Sequence, residues 1–287
     1  MSNALEVLVG PQAQGLSAST VSRLKKQWSD EYKQWQSRSL SKDQWVYIWA
    51  DGIYSGLRGD NDKLCALVII GVNERGEKQF LAIEDGQRES TQSWREVLLD
   101  LKSRGMNIPK LAVGDGAMGF WSAMDEIFPS TRHQRCWMHK TGNVLNCAPK
   151  SVQPKMKDCL HNIWRAETQE DAEQAFDLFI EKFDAKYPKA TRCLQKDREE
   201  LLAFYDFPAK HWQSIRTTNP IESVFGTIRH RTKRSKGCLN RDGMLNMIFK
   251  LGICAQENWR RLRGFDHLGP AGAFERKPTV SALRSTL

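Results

Sequence analysis

Between Gln44 and Cys136, short apolar runs alternate with turns and helical stretches, and their order limits the fold more than any other feature. Trp45-Val46-Tyr47-Ile48-Trp49-Ala50 is rich in β-formers and is ended by Asp51-Gly52. Leu64 to Val72 is a second such run, Asn73 to Gly76 a turn, and Lys78 to Glu84 a third run. Runs of this kind separated by turn residues predict an antiparallel meander. Ser90 to Arg104 then places Trp94, Val97, Leu98 and Leu101 on one helical face, with Gly105 where the helix should stop. Lys110 to Val113 reads as a buried strand, Phe120 to Ile127 as a helix, and Thr131 to Cys136 as a strand. The order β-β-β-α-β-α-β predicts an α/β fold: a mixed five-stranded sheet with helices on both faces.

The flanking regions are helical. Residues 138–212 repeat apolar positions at helical spacing through Ile163, Ala172, Phe176, Phe179, Phe183, Leu201, Leu202 and Phe204. Thr218-Asn219-Pro220 opens a helix reaching about Lys233, and Met244 to Leu262 forms a last amphipathic one. At the front, Gly15 to Leu24 reads either as the second half of a helix-turn-helix or as an ordinary capped helix. Lys25 to Lys42 carries Trp28, Tyr32 and Trp35 at helical spacing and reads as a linking helix. The stretch after Gly264 is expected to be loose.

Composition narrows the class of partner. The 287 residues suffice for a sizeable core. No apolar run approaches the roughly 20 residues of a membrane helix, and the first residues lack a signal-peptide layout. A cytoplasmic, nucleoid-associated protein without a membrane partner is therefore expected. Seven scattered cysteines fit free thiols in a reducing compartment. A formal charge of +9 favours a polyanion.

Two apolar strands carry the same ending, Ala50-Asp51-Gly52 and Gly114-Asp115-Gly116. A carboxylate at a strand end is held on a rigid element at the rim of the sheet. Two of them on adjacent strands repel unless a cation joins them, and magnesium prefers such hard oxygens. Asp-Gly also makes ordinary turns. Glu222 is a third candidate, although Asn219-Pro220-Ile221-Glu222 equally fits a helix start with Asn219 as cap. Downstream of it, Arg229, Arg231, Lys233, Arg234 and Lys236 place five fixed cations within eight residues. Such a run is either a solvated face or a track for a phosphate backbone. Trp164 and Trp212 could stack on bases or fill a core.

Five ordered segments carry a family likeness. They are Trp49-Ala50-Asp51-Gly52-Ile53-Tyr54, Val113-Gly114-Asp115-Gly116, Gln134-Arg135-Cys136-Trp137-Met138-His139-Lys140, Tyr187-Pro188 and Thr217-Thr218-Asn219-Pro220-Ile221-Glu222-Ser223. Together they make the chain resemble, over about residues 15–263, the Mutator-type transposases of bacterial insertion sequences, which are DDE recombinases. The resemblance implies a ribonuclease-H-like core over 43–137 and 214–263, with an all-helical insertion over 138–213 before the last core helix. Residues 1–42 would be the remnant of a longer DNA-binding region, shortened at the N-terminus, and 264–287 a flexible tail. It implies that Asp51, Asp115 and Glu222 are both the catalytic residues and the metal ligands. Cys136 and His139 match the family's C-x-x-H signature; they read as structural, with half a zinc site as the alternative and His133, Cys147, Cys159 or His161 as completers.

The implied chemistry is phosphoryl transfer with two magnesium ions, for which manganese can substitute, about 4 Å apart. Asp51 would bridge both ions, Asp115 would hold one and Glu222 the other. The expected partners are DNA, as element terminal inverted repeats and target, and further copies of the chain. Other readings remain: a ribonuclease-H-like nuclease without strand transfer, a catalytically silent DNA-binding remnant, and a zinc hydrolase around His133, Cys136 and His139.

Overall fold

The computed structural model describes residues 17–56, 63–86, 88–234 and 240–268. Strand β1 (Trp45–Gly56) is buried on both faces, and its alternate residues enter different cores. Tyr47, Trp49 and Ile53 join one core, and Ile48 and Ala50 the other, as the two-residue period of a strand requires. A bulge between Trp45 and Tyr47 reverses this parity, so Trp45 packs with the even-numbered residues and Val46 with the odd.

β2 (Lys63–Asn73) and β3 (Lys78–Gly86) complete the antiparallel meander, turning at Gly76 with a φ of 76°. β4 (Leu111–Gly114) and β5 (Arg132–Arg135) add in parallel on the other side of β1. The sheet order is β3-β2-β1-β4-β5. This mixed five-stranded sheet with flanking helices is a ribonuclease-H-like fold. One boundary differs from expectation. β1 does not stop at Asp51 but continues to Gly56, because β2 pairs with it along that whole length. β4 pairs with it only from Tyr47 to Ala50. Asp51 thus marks the point where β1 outruns its parallel neighbour.

One face is covered by α2 (Thr91–Ser103) and α3 (Met118–Ile127), through Trp94, Leu98, Phe120 and Met124. Ser90 caps α2, accepting from the Ser93 N–H. The remaining described helices share the core on the other face. α1 (Ala18–Gln36), capped by Ser17, runs continuously from the first of the two segments that read separately in sequence into the second, where it stops at Gln36 rather than Lys42; Gly15 and Leu16 lie outside the described residues. Its Tyr32 and Trp35 rings lie 5.3 and 5.2 Å from Phe249. From Trp137 onward the chain is helical: α4 (Trp137–Leu145), α5 (Gln153–Arg165), α6 (Gln169–Phe183), α7 (Pro188–Gln195), α8 (Arg198–Leu202) and the short α9 (Trp212–Ile215). α10 (Asn219–Arg234) and α11 (Arg241–Gln256) return to the sheet. α11 ends at Gln256 rather than Leu262, because the chain turns there and the Leu262 N–H bonds the Gly76 carbonyl at 2.8 Å.

The helical block is tied to the sheet by buried charge. Arg135 of β5 pairs with Asp197 at 3.1 Å, and the Lys140 ammonium contacts the same carboxylate and donates to the Cys193 carbonyl at 2.9 Å. Lys140 is only 2% exposed, so its charge depends on these partners. Trp212 donates its indole N–H to the Phe207 carbonyl and packs on Phe204 and Tyr205. Trp164 is buried beneath Arg216, 4.5 Å from its ring. Trp164 is therefore part of the core, and Trp212, half-buried, packs against it.

Candidate active site

The parallel pairing of β1, β4 and β5 stops in step. Ala50 of β1 is level with Gly114 of β4, which is level with Arg135 of β5. The residues that follow, Asp51, Asp115 and Cys136, therefore stand side by side where the parallel pairing of three adjacent strands stops, Asp51 within β1 and the other two just past β4 and β5. The Cys136 N–H extends the ladder by donating to the Gly114 carbonyl at 2.8 Å. The crevice beyond such strand ends is where open α/β sheets bind ligands.

Asp51 lies between Trp49 and Ile53 on the face that packs against Ile221 and Phe225 of α10. Its Oδ1 accepts the Gly52 N–H at 2.8 Å. Burial, then the charge of Asp115, pushes its carboxyl up to about 7. Asp115 Oδ1 accepts the Ala117 N–H at 2.9 Å, which fixes the loop beyond β4. Gly116 in that loop has a φ of 108°, and a Cβ there would meet the Arg135 guanidinium at 1.8 Å. Among the described residues, neither aspartate forms an ion pair with a lysine or arginine. A paired, partly buried carboxylate site without a fixed cation suits a hard divalent ion.

Glu222 lies in the first turn of α10. The helix starts one residue earlier than the expected cap: the Thr218 carbonyl, not that of Asn219, accepts the Ile221 and Glu222 N–H groups at 2.9 and 3.0 Å. Glu222 does not reach back to a cap N–H. Its Oε1 accepts the Thr218 hydroxyl at 2.6 Å and lies 3.6 Å from His139 Nδ1. Thr218 also binds Cys136, its N–H and its hydroxyl lying 3.3 and 3.2 Å from Sγ. Cys136 precedes α4 and His139 lies in its first turn, so one short element carries both.

Cys136 and His139 form a polar pair. Burial opposes ionisation of the Cys136 thiol, yet hydrogen bonds with His139 and Thr218 hold it below the ordinary thiol value. His139 is pushed up to about 9, mainly by its bond to Cys136 and further by Glu222 and Asp115. The charges of Glu222 and Asp115 both act on His139, which in turn lowers the Asp51 carboxyl against its burial. Sγ of Cys136, a ring nitrogen of His139 and a carboxylate oxygen of Glu222 lie within 4.8 Å of one another. Among the described residues no other group of three acid, histidine or cysteine ligands is so close; Asp51, Asp115 and Glu222 stand further apart. The zinc completers considered from the sequence are elsewhere. His133 stacks on Trp121 at 4.6 Å, His161 on Trp164 at 5.1 Å, Cys147 is exposed and Cys159 faces Lys182.

Two participants escape sequence reasoning. Thr218 reads there only as the residue before a cap. Glu89 follows β3 with no spacing signal, yet a Cβ on Gly52 would meet its Oε1 at 2.5 Å. Burial and the charge of Asp115 raise the Glu89 carboxyl. It is a fourth acid at this rim. Of the basic run, Arg229 is exposed and stacks on Phe225 at 5.6 Å. Arg231, Lys233 and Arg234 continue α10, their side chains undescribed, and Lys236 lies outside the described residues.

The fold is ribonuclease-H-like, with Asp51 and Asp115 on and beside adjacent strands and Glu222 on a following helix. The comparisons add the family. The family model for "Transposase, Mutator family" matches residues 1–261, and the chain belongs to that family. It is 50% identical over 260 residues to the transposase for insertion sequence element IST2 of Acidithiobacillus ferrooxidans, covering 90% of this chain and 88% of that one. It is 49% identical over 257 residues to the transposase for IS6120 of Mycolicibacterium smegmatis, covering 90% and 79%. The transposase for ISRM5 of Rhizobium meliloti is 29% identical over 248 residues, covering 85% and 61%.

Proposed function

We propose that this chain cuts DNA at the ends of an insertion sequence and joins the freed 3′ ends to target DNA, with Asp51, Asp115 and Glu222 holding two magnesium ions. The observation that carries the reading is the alignment of Asp51 and Asp115 where the parallel pairing of β1 and β4 stops, with His139, which lies 3.6 Å from the Glu222 carboxylate, close enough to both aspartates to feel their charge. The pairing of a raised Asp51 with a neighbouring Asp115 fits divalent-ion ligands, since a bound dication relieves both burial and repulsion.

Magnesium bound there supplies charge for the scissile phosphate and activates the attacking oxygen. The protein's own part is placement. Two strands of one sheet fix the aspartates to a rigid frame. Thr218 orients the Glu222 carboxylate, and His139 offsets its charge. The cations of Arg229, Arg231, Lys233, Arg234 and Lys236 hold the DNA backbone. No protein nucleophile is required. Cys136 is 1% exposed and its sulfur is engaged by His139 and Thr218, a poor arrangement for attack on a phosphate.

The direct test incubates a labelled element end and a target plasmid with protein and magnesium. Nicking followed by joined product is expected, and chelator or Asp115→Ala should abolish both. Nicking without joining would leave a nuclease; DNA binding without nicking would leave a silent remnant. Terminal-repeat binding, oligomer formation on paired ends, nucleoid localisation and the division of the chain at 42, 137, 213 and 263 belong to the same reading.

A further inference from the structure

Cys136, His139 and Glu222 offer sulfur, nitrogen and oxygen within 4.8 Å of one another. The set is unlike the two aspartates in chemistry. Magnesium does not take thiolate ligands, whereas zinc-type ions favour sulfur and imidazole. Three protein ligands with one open position is a known zinc arrangement. In such a site, nitrogen and oxygen ligands sit roughly 3.3 Å apart, from metal–ligand bonds of about 2.0 Å. His139 Nδ1 and Glu222 Oε1 are already 3.6 Å apart. The frame is rigid, because Cys136 is bonded to Gly114 and Thr218 ties the sulfur to the Glu222 carboxylate. Entry is from the side of His139 and Glu222, whose side chains are 40% and 35% exposed, with the buried Cys136 sulfur as the floor of the site.

We propose that Cys136, His139 and Glu222 form a second metal site, selective for zinc-type ions, whose occupation withdraws Glu222 from the magnesium centre and arrests strand cleavage. The site itself stands on the geometry of the three ligands. The arrest rests on the reading of Glu222 given above. One carboxylate then serves two exclusive ions, hard magnesium for activity and soft zinc for inhibition.

Cobalt(II) is the probe, because a cobalt–thiolate bond gives its own near-ultraviolet charge-transfer absorption. Metal-free full-length protein, kept reduced, should develop that band at one equivalent of cobalt and lose it on adding one equivalent of zinc. Cys136→Ser should abolish it, with circular dichroism verifying the fold. Replacing the exposed Cys147 and Cys254 with serine should leave it intact. Glu222→Gln should weaken binding at least about tenfold. Asp51→Asn should retain the band even though cleavage is abolished. Zinc at the same occupancy should suppress magnesium-supported cleavage, and its removal should restore it. No band, or a band that survives Cys136→Ser, overturns the site. Full cleavage at saturating zinc overturns the competition. A protein that shows the band but never cleaves with magnesium would contradict the magnesium reading and leave the zinc-type site standing.

Discussion

At the scale of single residues, burial and then the charge of Asp115 raise the Asp51 carboxyl. Asp51 has a folded pKa of about 7 against an ordinary 3.8. Its contribution to stability is fully present below about pH 4 and is lost as pH rises through 7. In metal-free protein, Asp51→Asn should therefore stabilise the fold at pH 8 by up to about 4 kcal/mol, and by little near pH 4. Thermal melts of both proteins at the two pH values would check this; an equal shift at both would speak against a buried, repelled carboxylate. Thr218→Val should lower cleavage by about 10–100-fold, because Glu222 loses its orienting hydroxyl, while Thr218→Ser should keep most of it. The two aspartates are legible in the sequence because Asp-Gly after an apolar run has a local signature. Thr218 and Glu89 are not, because their roles come from contacts between segments distant in sequence.

At the scale of elements, the succession of strands and helices along the chain and the buried faces of the helices can be read from turns and periodicity, whereas the order of strands in the sheet comes from the structure. Trp94, Val97, Leu98 and Leu101 of α2 are all buried as their spacing requires. The ends of elements are less legible, since tertiary pairing sets them. β1 outlasts Asp51 because β2 pairs with it, and α10 starts from Thr218 because that residue also binds Cys136. The loop after Asp115 is similarly constrained. Gly116→Ala should cost about 1–3 kcal/mol, combining the strain of its positive φ with displacement of Arg135. Denaturant unfolding measures that cost, and an unchanged midpoint would contradict the close approach. Lys140→Met should cost about 1.5–3 kcal/mol by removing charged hydrogen bonds to Asp197 and Cys193. Nothing in the spacing of Lys140 and Asp197 announces that clamp.

At the scale of the whole molecule, net charge and the position of α10 set how DNA is approached. Replacing Arg229, Arg231 and Lys233 with glutamine should weaken binding to any duplex and reduce the salt slope by about 0.9 for each phosphate no longer neutralised. An unaltered slope in titrations at several salt concentrations would place the DNA path elsewhere. Net charge suggests the polyanion, but the ordered segments supply its identity. The central claim is that carboxylates from β1, the loop after β4, and α10 serve one pair of divalent ions. Anomalous diffraction from a manganese-soaked crystal of the protein with an element-end duplex tests it most directly. Two manganese peaks are predicted, one touching both Asp51 and Asp115 and the other touching Asp51 and Glu222. Peaks absent from that rim, or Glu222 turned away from manganese bound to the aspartates, would contradict it.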